Sequence, residues 1–330
     1  KQYRHWHDCW VRSTLFEALS LIHDEVAEII YRIFWLDHIW VGGDRWMTFE
    51  GHRLIEQKDA TDLRRGITNR LVPIYKALRC EYESKSSSAP VVDRKQAEAY
   101  IKQITSMIEK LGNHPYKTTV IKAARQLFEV KDFDRIKDAD PSKTGWSNCV
   151  VVCSGNHAYT MEGKLEDFIT KSTFTPYRAD LNWQHPLVQK LLIWFGQMFP
   201  DRDLYHYVFK DLASYLYGRN AEKLLRFWCG DGNNSKTMLA KCIQMWLGLY
   251  CVDFPPTFLT GKPMGTSGPN PELAQAHGAH IGFIPETEDD EKIREGSAKR
   301  ATGGDRQFAR MCNENGGPME MMAKVVLMCN

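Results

Sequence analysis

The spacing of apolar residues predicts that the first part of the chain is mainly helical. Between residues 11 and 40, bulky apolar side chains recur at steps of three and four, which is the period of an amphipathic helix. Further helices are predicted over 60–80, 91–111 and 116–130. Two short apolar runs around Glu50-Gly51 predict a hairpin over 46–55, and the serine-rich stretch Glu83–Pro90 predicts an exposed loop between helices.

A different pattern follows in the second part of the chain. Residues 141–148 are predicted to form a loop and 149–153 a short strand, with a hinge near 176–186. Helices are predicted over 187–199, 203–217 and 237–247, with Pro200, Gly218 and Gly248 as stops. Three apolar runs, 224–229, 280–284 and 324–329, are typical of buried strands, and their alternation with helices favours a largely parallel sheet.

This pattern divides the chain into a mainly helical domain, residues 1–184, and an α/β domain, residues 185–330. The last predicted strand ends where the chain ends, so we expect the C-terminal part of the second domain to be missing. The chain also begins without Met, which indicates a piece of a longer protein.

Composition adds few restrictions to this picture. Among 330 residues the net charge is only +2, so contact with nucleic acid requires a local basic surface. The sequence contains no run of about 18 apolar residues, so no membrane span is predicted. The first residues do not resemble a signal peptide. The nine cysteines are scattered, several of them in strand-like apolar runs. We therefore expect reduced thiols in the protein core rather than disulfides or a zinc site.

A candidate phosphate-binding loop lies between the first of these strands and a helix. Its residues are Gly230, Asp231, Gly232, Asn233, Asn234, Ser235, Lys236 and Thr237. In such a loop, backbone N–H groups and the helix N-terminus bind phosphate oxygens of ATP, the lysine neutralises their charge, and the threonine hydroxyl binds Mg²⁺. Ser235 departs from the usual pattern, which has glycine before the lysine because glycine adopts positive φ freely. The alternative is an ordinary Gly/Asn-rich turn.

Polar residues follow the other two apolar strands. Glu286 and Glu288 come after the run 280–284 and are candidates for binding Mg²⁺ and polarising the attacking water. Asn330 follows the run 324–329 and has an amide suited to contact the γ-phosphate or that water. A solvated acidic loop and a turn-forming asparagine are the alternatives, and the order of the segments favours the site.

Together these segments resemble the superfamily 3 helicases of the AAA+ class, in particular the D5-like primase–helicases of nucleocytoplasmic large DNA viruses, asfarvirus-like or poxvirus-like. The segment Lys299–Asp305 carries the resemblance most specifically, and helical regions upstream extend it over most of the chain. It implies an α/β AAA+ P-loop motor domain preceded by a mainly helical D5-type domain. Gly230–Thr237 would be the Walker A motif, Glu286 and Glu288 the Walker B carboxylates, and Asn330 sensor 1.

The resemblance also implies how DNA is held. A hairpin over about 306–324, turning at Asn315-Gly316-Gly317-Pro318, would project into a central channel and grip single-stranded DNA. Its DNA-binding residues would be Arg306, Arg310 and Lys324, which supply positive charge for phosphates. The alternative is a surface loop.

The expected function is that of an ATP hydrolase with Mg²⁺ bound by Thr237 and Glu286. The chain would be a DNA helicase subunit, in a homo-oligomer that is expected to be a hexamer. It would translocate on single-stranded DNA with other replication proteins, at a viral replication site in the host cytoplasm and with no membrane partner. Ser235 motivates an alternative, a nucleotide-binding ring scaffold with little or no ATPase that recruits primase or polymerase. A nucleotide kinase is disfavoured because the segment 257–268 offers only Lys262 for an arginine-rich lid.

Overall fold

A computed structural model of the chain describes residues 11–88, 91–155, 157–230, 234–261, 271–285, 292–304, 306–309 and 317–329. Contacts divide the chain into two compact units. The first comprises residues 1–50 and 54–133, and the second comprises 51–53 and 134–330. Residues 134–184 therefore pack with the α/β part of the chain. The predicted boundary between a domain of residues 1–184 and a domain of residues 185–330 follows the domains of the family that the chain resembles, and it stays a prediction.

The first unit is mainly helical. Its helices are α1 (His23–Phe34), α2 (Thr61–Gly66), α3 (Val72–Ser88), α4 (Val91–Gly112) and α5 (His114–Ala124), with a π-helical turn at Ile67–Leu71. Three strands, β1 (His38–Trp40), β2 (Arg45–Glu50) and β3 (Arg53–Lys58), form a small sheet in that order. The predicted hairpin is thus present as β2 and β3. The buried apolar face of α1 packs with residues of α3, α4 and α5 in one core.

Three predictions for this unit were wrong in detail, the first being the helix over 116–130, which ends at Ala124. The periodic stretch 11–40 is broken before α1 by a 3₁₀ turn, Ala18–Ser20, and by Leu21 at φ 62°. The predicted loop at 83–90 is helical as far as Ser88, in α3. Its serines fit the helix because their hydroxyls donate to carbonyls one turn back, from Ser84 to Cys80 at 3.0 Å and from Ser87 to Glu83 at 2.9 Å.

The second unit alternates sheets and helices. Its helices are α6 (Phe133–Ile136, beginning at the boundary), α7 (Pro186–Met198), α8 (Arg202–Ser214), α9 (Lys236–Leu247), α10 (Thr257–Thr260), α11 (Pro271–Gln275) and α12 (Glu295–Thr302). Its strands are β4 (Lys143–Trp146), β5 (Cys149–Ser154), β6 (His157–Met161), β7 (Leu225–Cys229), β8 (Cys251–Asp253), β9 (Ile281–Ile284), β10 (Arg306–Ala309), β11 (Gly317–Glu320) and β12 (Lys324–Cys329).

A four-stranded parallel sheet forms the centre of this unit, in the order β7-β12-β9-β8. Alternate residues of β12 enter different apolar clusters: Val325 and Leu327 lie on one face, and Val326 and Met328 on the other. Residues of α7 and α9 cover the second face. Burial on both faces explains why these strands are continuous apolar runs in the sequence. The mixed α/β architecture with a parallel sheet is as predicted and is compatible with a P-loop domain.

A second, antiparallel sheet joins β4, β5 and β6. Strand β4 lies within the predicted loop 141–148, so that part of the prediction was wrong. The sequence Lys143-Thr144-Gly145-Trp146 lacks apolar alternation, and the strand is defined instead by pairing with β5. It is also anchored by the backbone N–H of Gly145, which donates to the Tyr250 hydroxyl at 2.7 Å.

We predict that Gly282→Ala in β9 destabilises the second unit by about 1–3 kcal/mol, the range for overpacked cores. A Cβ at Gly282 would overlap the ring of Phe254, which is buried and stacked on Phe258 with ring centroids 4.2 Å apart. Denaturant unfolding of the variant and the parent chain measures the difference.

The matched control is Gly196→Ala in α7, where a new Cβ would meet no atom of the described residues within 4 Å. This change should stabilise the helix by about 0.5–1 kcal/mol, because glycine is unfavourable in a helix interior. Equal stability of the Gly282→Ala variant and the parent would contradict the packing of Phe254 against β9.

Candidate nucleotide-binding site

The parallel register brings the carboxyl ends of three strands to one edge of the sheet. Cys329 of β12 pairs with Cys229 of β7, and Leu327 pairs with Ile284 of β9. Gly230, the first residue of the candidate loop, follows β7 directly at this edge. The carboxyl edge of an open parallel sheet is where α/β proteins bind ligands.

Helix α9 begins immediately after the loop, and Ser235 is its N-cap residue. Ser235 has φ 66° and ψ 6°, in the left-handed region. This conformation is unfavourable by roughly 1–2 kcal/mol for a residue with a Cβ, and glycine adopts it freely. The departure from the motif therefore falls at the position whose backbone conformation favours glycine.

The two ends of the loop contact each other through side chains. Lys236, the first residue of α9, donates from Nζ to the carbonyl oxygen of Gly230 at 2.5 Å. A Cβ on Gly230 would overlap the amide nitrogen of the Asn234 side chain. Gly230 thus allows the Asn234 amide to lie over the backbone at the loop entrance, and the Lys236 ammonium lies across the same entrance.

Thr237 is exposed in the first turn of α9. It follows Lys236 directly, at the positive end of the helix dipole. Among the residues that the structure describes, no group of three or more His, Cys, Asp and Glu side chains lies together as a metal cluster.

Several predicted site residues lie outside the described residues: Asp231, Gly232, Asn233, Glu286, Glu288, Arg310 and Asn330. Apart from Arg310, which follows β10, these residues come after β7, β9 and β12, and those three strands end at the same edge of the sheet. The roles assigned to these residues stay predictions.

The backbone of the predicted DNA-binding hairpin is described at its base. Strands β10 and β11 pair antiparallel, with Arg306 opposite Glu320 and Ala309 opposite Gly317. The connection between these strands, 310–316, lies outside the described residues. Arg306 occupies the first position of β10, four residues ahead of Arg310 in the sequence.

Lys324 is not at the surface, where the sequence prediction placed it. Its residue is only 4% exposed, and Nζ donates to the carbonyl oxygen of Tyr217 at 2.6 Å. Burial, together with the positive charge of Arg226, lowers the pKa of this lysine to about 8. Lys324 also starts β12, so it lies a strand length, roughly 17 Å, from the carboxyl edge. In this conformation the side chain is not accessible to a DNA phosphate.

A buried ion pair that the motifs described above did not include holds the strand leading into the loop. Arg226 of β7 donates from Nε to the Asp211 carboxylate of α8 at 2.7 Å, and both side chains are largely buried. The Tyr215 hydroxyl donates to the other Asp211 oxygen at 2.5 Å. Arg226 stands in an apolar run, which is the sequence signal of a buried charge that needs a partner. The pair anchors β7 to the helix that precedes it.

An apolar cavity of about 490 Å³ lies between α7, α8 and α9. Aliphatic and aromatic side chains line it, among them Leu191, Trp194, Phe209 and Trp246, together with the Cys242 thiol. None of the described residues that line it is charged, so its chemistry does not suit the phosphates of a nucleotide.

The cysteines differ from the expectation of buried core thiols. Of the seven in the described part of the chain, Cys80 and Cys229 are exposed and the others are partly exposed. Cys229 was predicted to be buried because it ends an apolar run. It is exposed because β7 is an outer strand of the sheet and Cys229 is the last residue of that strand.

The buried Lys324 makes the stability of the chain depend on pH. Its pKa is about 8 in the folded chain and 10.5 when unperturbed, so the unfolded chain binds the proton more tightly. The free energy of unfolding should therefore rise between about pH 8 and 10.5 from this group. We predict that Lys324→Met removes this rise, as measured by denaturant unfolding across that range.

Lys241→Met on the exposed face of α9 is the matched control and should keep the rise. An identical pH dependence of the Lys324→Met variant and the parent chain would contradict the burial of a charged lysine at this site.

Comparison with curated proteins identifies relatives in several large DNA viruses. The chain is 28% identical over 242 residues to "Putative helicase 184R" of Invertebrate iridescent virus 6, covering 72% of this chain and 25% of that protein. It is 25% identical over 285 residues to "Putative helicase L207/L206" of Acanthamoeba polyphaga mimivirus, covering 86% and 29%. It is 25% identical over 236 residues to "Putative primase C962R" of African swine fever virus, covering 70% and 24%.

The chain spans about a quarter of the length of these relatives. No protein-family model matches it. Within the described residues, every helix is too short or too polar to cross a bilayer. The relatives agree with the resemblance carried by the motifs: proteins named as helicases and primases in these viruses are consistent with a D5-like primase–helicase of nucleocytoplasmic large DNA viruses.

Proposed function

We propose that this chain is the nucleotide-hydrolysing part of an ATP-dependent DNA helicase subunit in a viral primase–helicase. The observation that carries the proposal is the strand–loop–helix unit of β7 and α9, with Lys236 across the loop entrance and Ser235 in the left-handed conformation. The names of the relatives, helicase and primase, support a role in genome replication.

ATP and Mg²⁺ fit the chemistry of the described residues. The Lys236 ammonium and the N-terminus of α9 offer positive charge where phosphates would lie, and Thr237 offers an exposed hydroxyl. We assign ATP binding to Gly230–Thr237 and Mg²⁺ binding to Thr237 and Glu286. Bound Mg²⁺ would offset the charge of the phosphate oxygens. Glu288 and Asn330 would help to position the attacking water.

Single-stranded DNA is the proposed polymer substrate. Arg306 and Arg310 belong to the hairpin segment, and their guanidinium groups suit backbone phosphates. The backbone pairing of β10 with β11 supports a hairpin at this place. We assign DNA contact to these arginines and a structural role to the buried Lys324.

Assembly into a homo-oligomer, as a hexamer, is part of the same proposal. The second unit exposes large apolar side chains on α7 and α9: Leu187, Leu191, Ile193, Met238 and Met245. Apolar surface of this kind supports contact with another protein, and we propose a neighbouring copy in the ring. Other replication proteins would act with the ring at a viral replication site in the host cytoplasm.

The second candidate is a nucleotide-binding ring scaffold with little or no ATPase, which recruits primase or polymerase. Ser235 favours it, because its Cβ stands in a loop that must approach phosphates closely and because its backbone is held in an unfavourable conformation. ATP hydrolysis by the parent chain distinguishes the two candidates, because only the helicase subunit hydrolyses ATP at a substantial rate.

Lys236→Ala should abolish DNA-stimulated ATP hydrolysis by the full-length protein, because it removes the ammonium at the loop entrance. Steady-state phosphate release with and without single-stranded DNA measures the effect. Lys241→Ala is the matched control, since Lys241 is exposed on the same helix, and it should retain the parent rate. Full activity of the Lys236→Ala variant would refute the assignment of the loop.

Ser235→Gly should raise the free energy of unfolding by up to about 1 kcal/mol, because glycine adopts the left-handed conformation without strain. Ser235→Ala removes the hydroxyl but keeps the Cβ, so it should show no such gain. Denaturant unfolding compares the three chains, and a loss of stability in the glycine variant would contradict the conformation at residue 235.

The same variants separate the two functions. As a helicase subunit the parent hydrolyses ATP, and Ser235→Gly leaves or raises that rate. As a scaffold the parent binds ATP without turnover, even with DNA present.

A further inference from the structure

Two cysteines meet at the carboxyl edge of the parallel sheet. Cys229 is the last residue of β7 and Cys329 the last residue of β12, and they are direct partners in the strand register. Their Sγ atoms lie 3.0 Å apart, and both are thiols rather than a disulfide. This separation is shorter than an ordinary contact between sulfur atoms.

The backbone at this position is compatible with a disulfide. Neighbouring strands lie about 4.8 Å apart, which falls within the Cα separations of roughly 4.4–6.8 Å that disulfides span. Bond formation needs the sulfur atoms to approach to about 2.05 Å, a movement of about 1 Å that side-chain rotation provides. The strands themselves can keep their pairing.

Exposure makes the pair reachable by an oxidant. Cys229 is exposed and Cys329 partly exposed. By contrast, burial raises the pKa of the Cys251 thiol of β8 to about 12, so its reactive thiolate is scarce. Cys251 also begins β8, at the amino edge of the sheet, so the thiols described at the carboxyl edge are those of Cys229 and Cys329.

We propose that Cys229 and Cys329 form a reversible oxidation site, at which a low-molecular-weight disulfide converts the two thiols into an intramolecular disulfide. The Cys229 thiolate attacks the small disulfide and releases one thiol, leaving a mixed disulfide. The Cys329 thiolate then attacks the Cys229 sulfur and releases the second thiol. Two protons and two electrons leave the protein, and the small disulfide is reduced to two thiols.

The position of the pair gives the oxidation a consequence. Gly230, the first residue of the loop, follows Cys229 directly, and Asn330 follows Cys329. A disulfide would join the strand that enters the loop to the central strand of the sheet. On the basis of the proposed function, this link restrains the loop and should lower ATP hydrolysis at least fivefold until a reductant restores the thiols.

The test exposes the purified full-length protein to oxidised glutathione and maps its thiols by mass spectrometry without reduction. We expect a peptide that links Cys229 to Cys329 within one chain, and its disappearance with excess dithiothreitol. In Cys329→Ser, glutathione should remain attached to Cys229, because no second thiol displaces it. Cys80→Ser is the matched control, an exposed thiol in the first unit, and should form the same linked peptide.

Stable glutathione on Cys229 of the parent chain, unreacted thiols, or links only between chains would each overturn the oxidation site. The ATPase of the reduced and oxidised chains is measured separately. A linked peptide with equal ATPase before and after oxidation would overturn the effect on the loop. A linked peptide in a chain with no ATPase in either state would leave the oxidation site standing and refute the helicase proposal.

Discussion

The position of β12 between β7 and β9 is the constraint on which the second unit depends. Its residues enter apolar clusters on both faces, alternately Val325 and Leu327 on one side and Val326 on the other. A shift of one residue would exchange the two faces along the whole strand, so the register is strongly specified. With β12 fixed, the carboxyl ends of its neighbours are fixed as well. The edge that carries the loop is therefore a consequence of core packing.

The last residue before α9 has an unfavourable backbone conformation. Ser235 holds a left-handed conformation that costs roughly 1–2 kcal/mol for a non-glycine residue. Strain of this kind persists where the surroundings determine the backbone. Here β7 is anchored by the Arg226–Asp211 pair and α9 by buried Leu239, Ala240 and Ile243. Because α9 is held by these buried residues, Ser235 at its start has little freedom to relax.

The sequence predicts those elements whose burial leaves a periodic signal. The runs 224–229, 280–284 and 324–329 form strands as predicted. The helices predicted over 187–199, 203–217 and 237–247 are present as well, with small differences at their ends. The spatial order of the strands could not be predicted, because it depends on contacts between distant segments. Strand β4 was not predicted because its residues show no apolar alternation. The serines of α3 are typical of a loop in sequence, but in the structure a serine hydroxyl donates to a carbonyl oxygen of the same helix.

Part of the candidate site was predictable because it has a local sequence pattern. A phosphate-binding loop has a local pattern, so Gly230, Lys236 and Thr237 can be identified by their spacing. The left-handed conformation of Ser235 is suggested by the glycine that the pattern has there. The pairing of Cys229 with Cys329, a hundred residues apart, has no local signal and follows from the strand register.

Lys324 shows why charge alone is a poor guide to a binding role. The two ends of β12 differ in environment: the amino end is covered by the turn after α8, and the carboxyl end is partly exposed. At the covered end, Lys324 donates to the Tyr217 carbonyl, and the neighbouring His280 ring bonds to the Tyr215 carbonyl at 2.9 Å. Burial lowers the pKa of both side chains, which favours their uncharged forms. A lysine in this setting stabilises the turn through its hydrogen bond, so the proposed helicase function assigns the positive charge for DNA to the hairpin arginines instead.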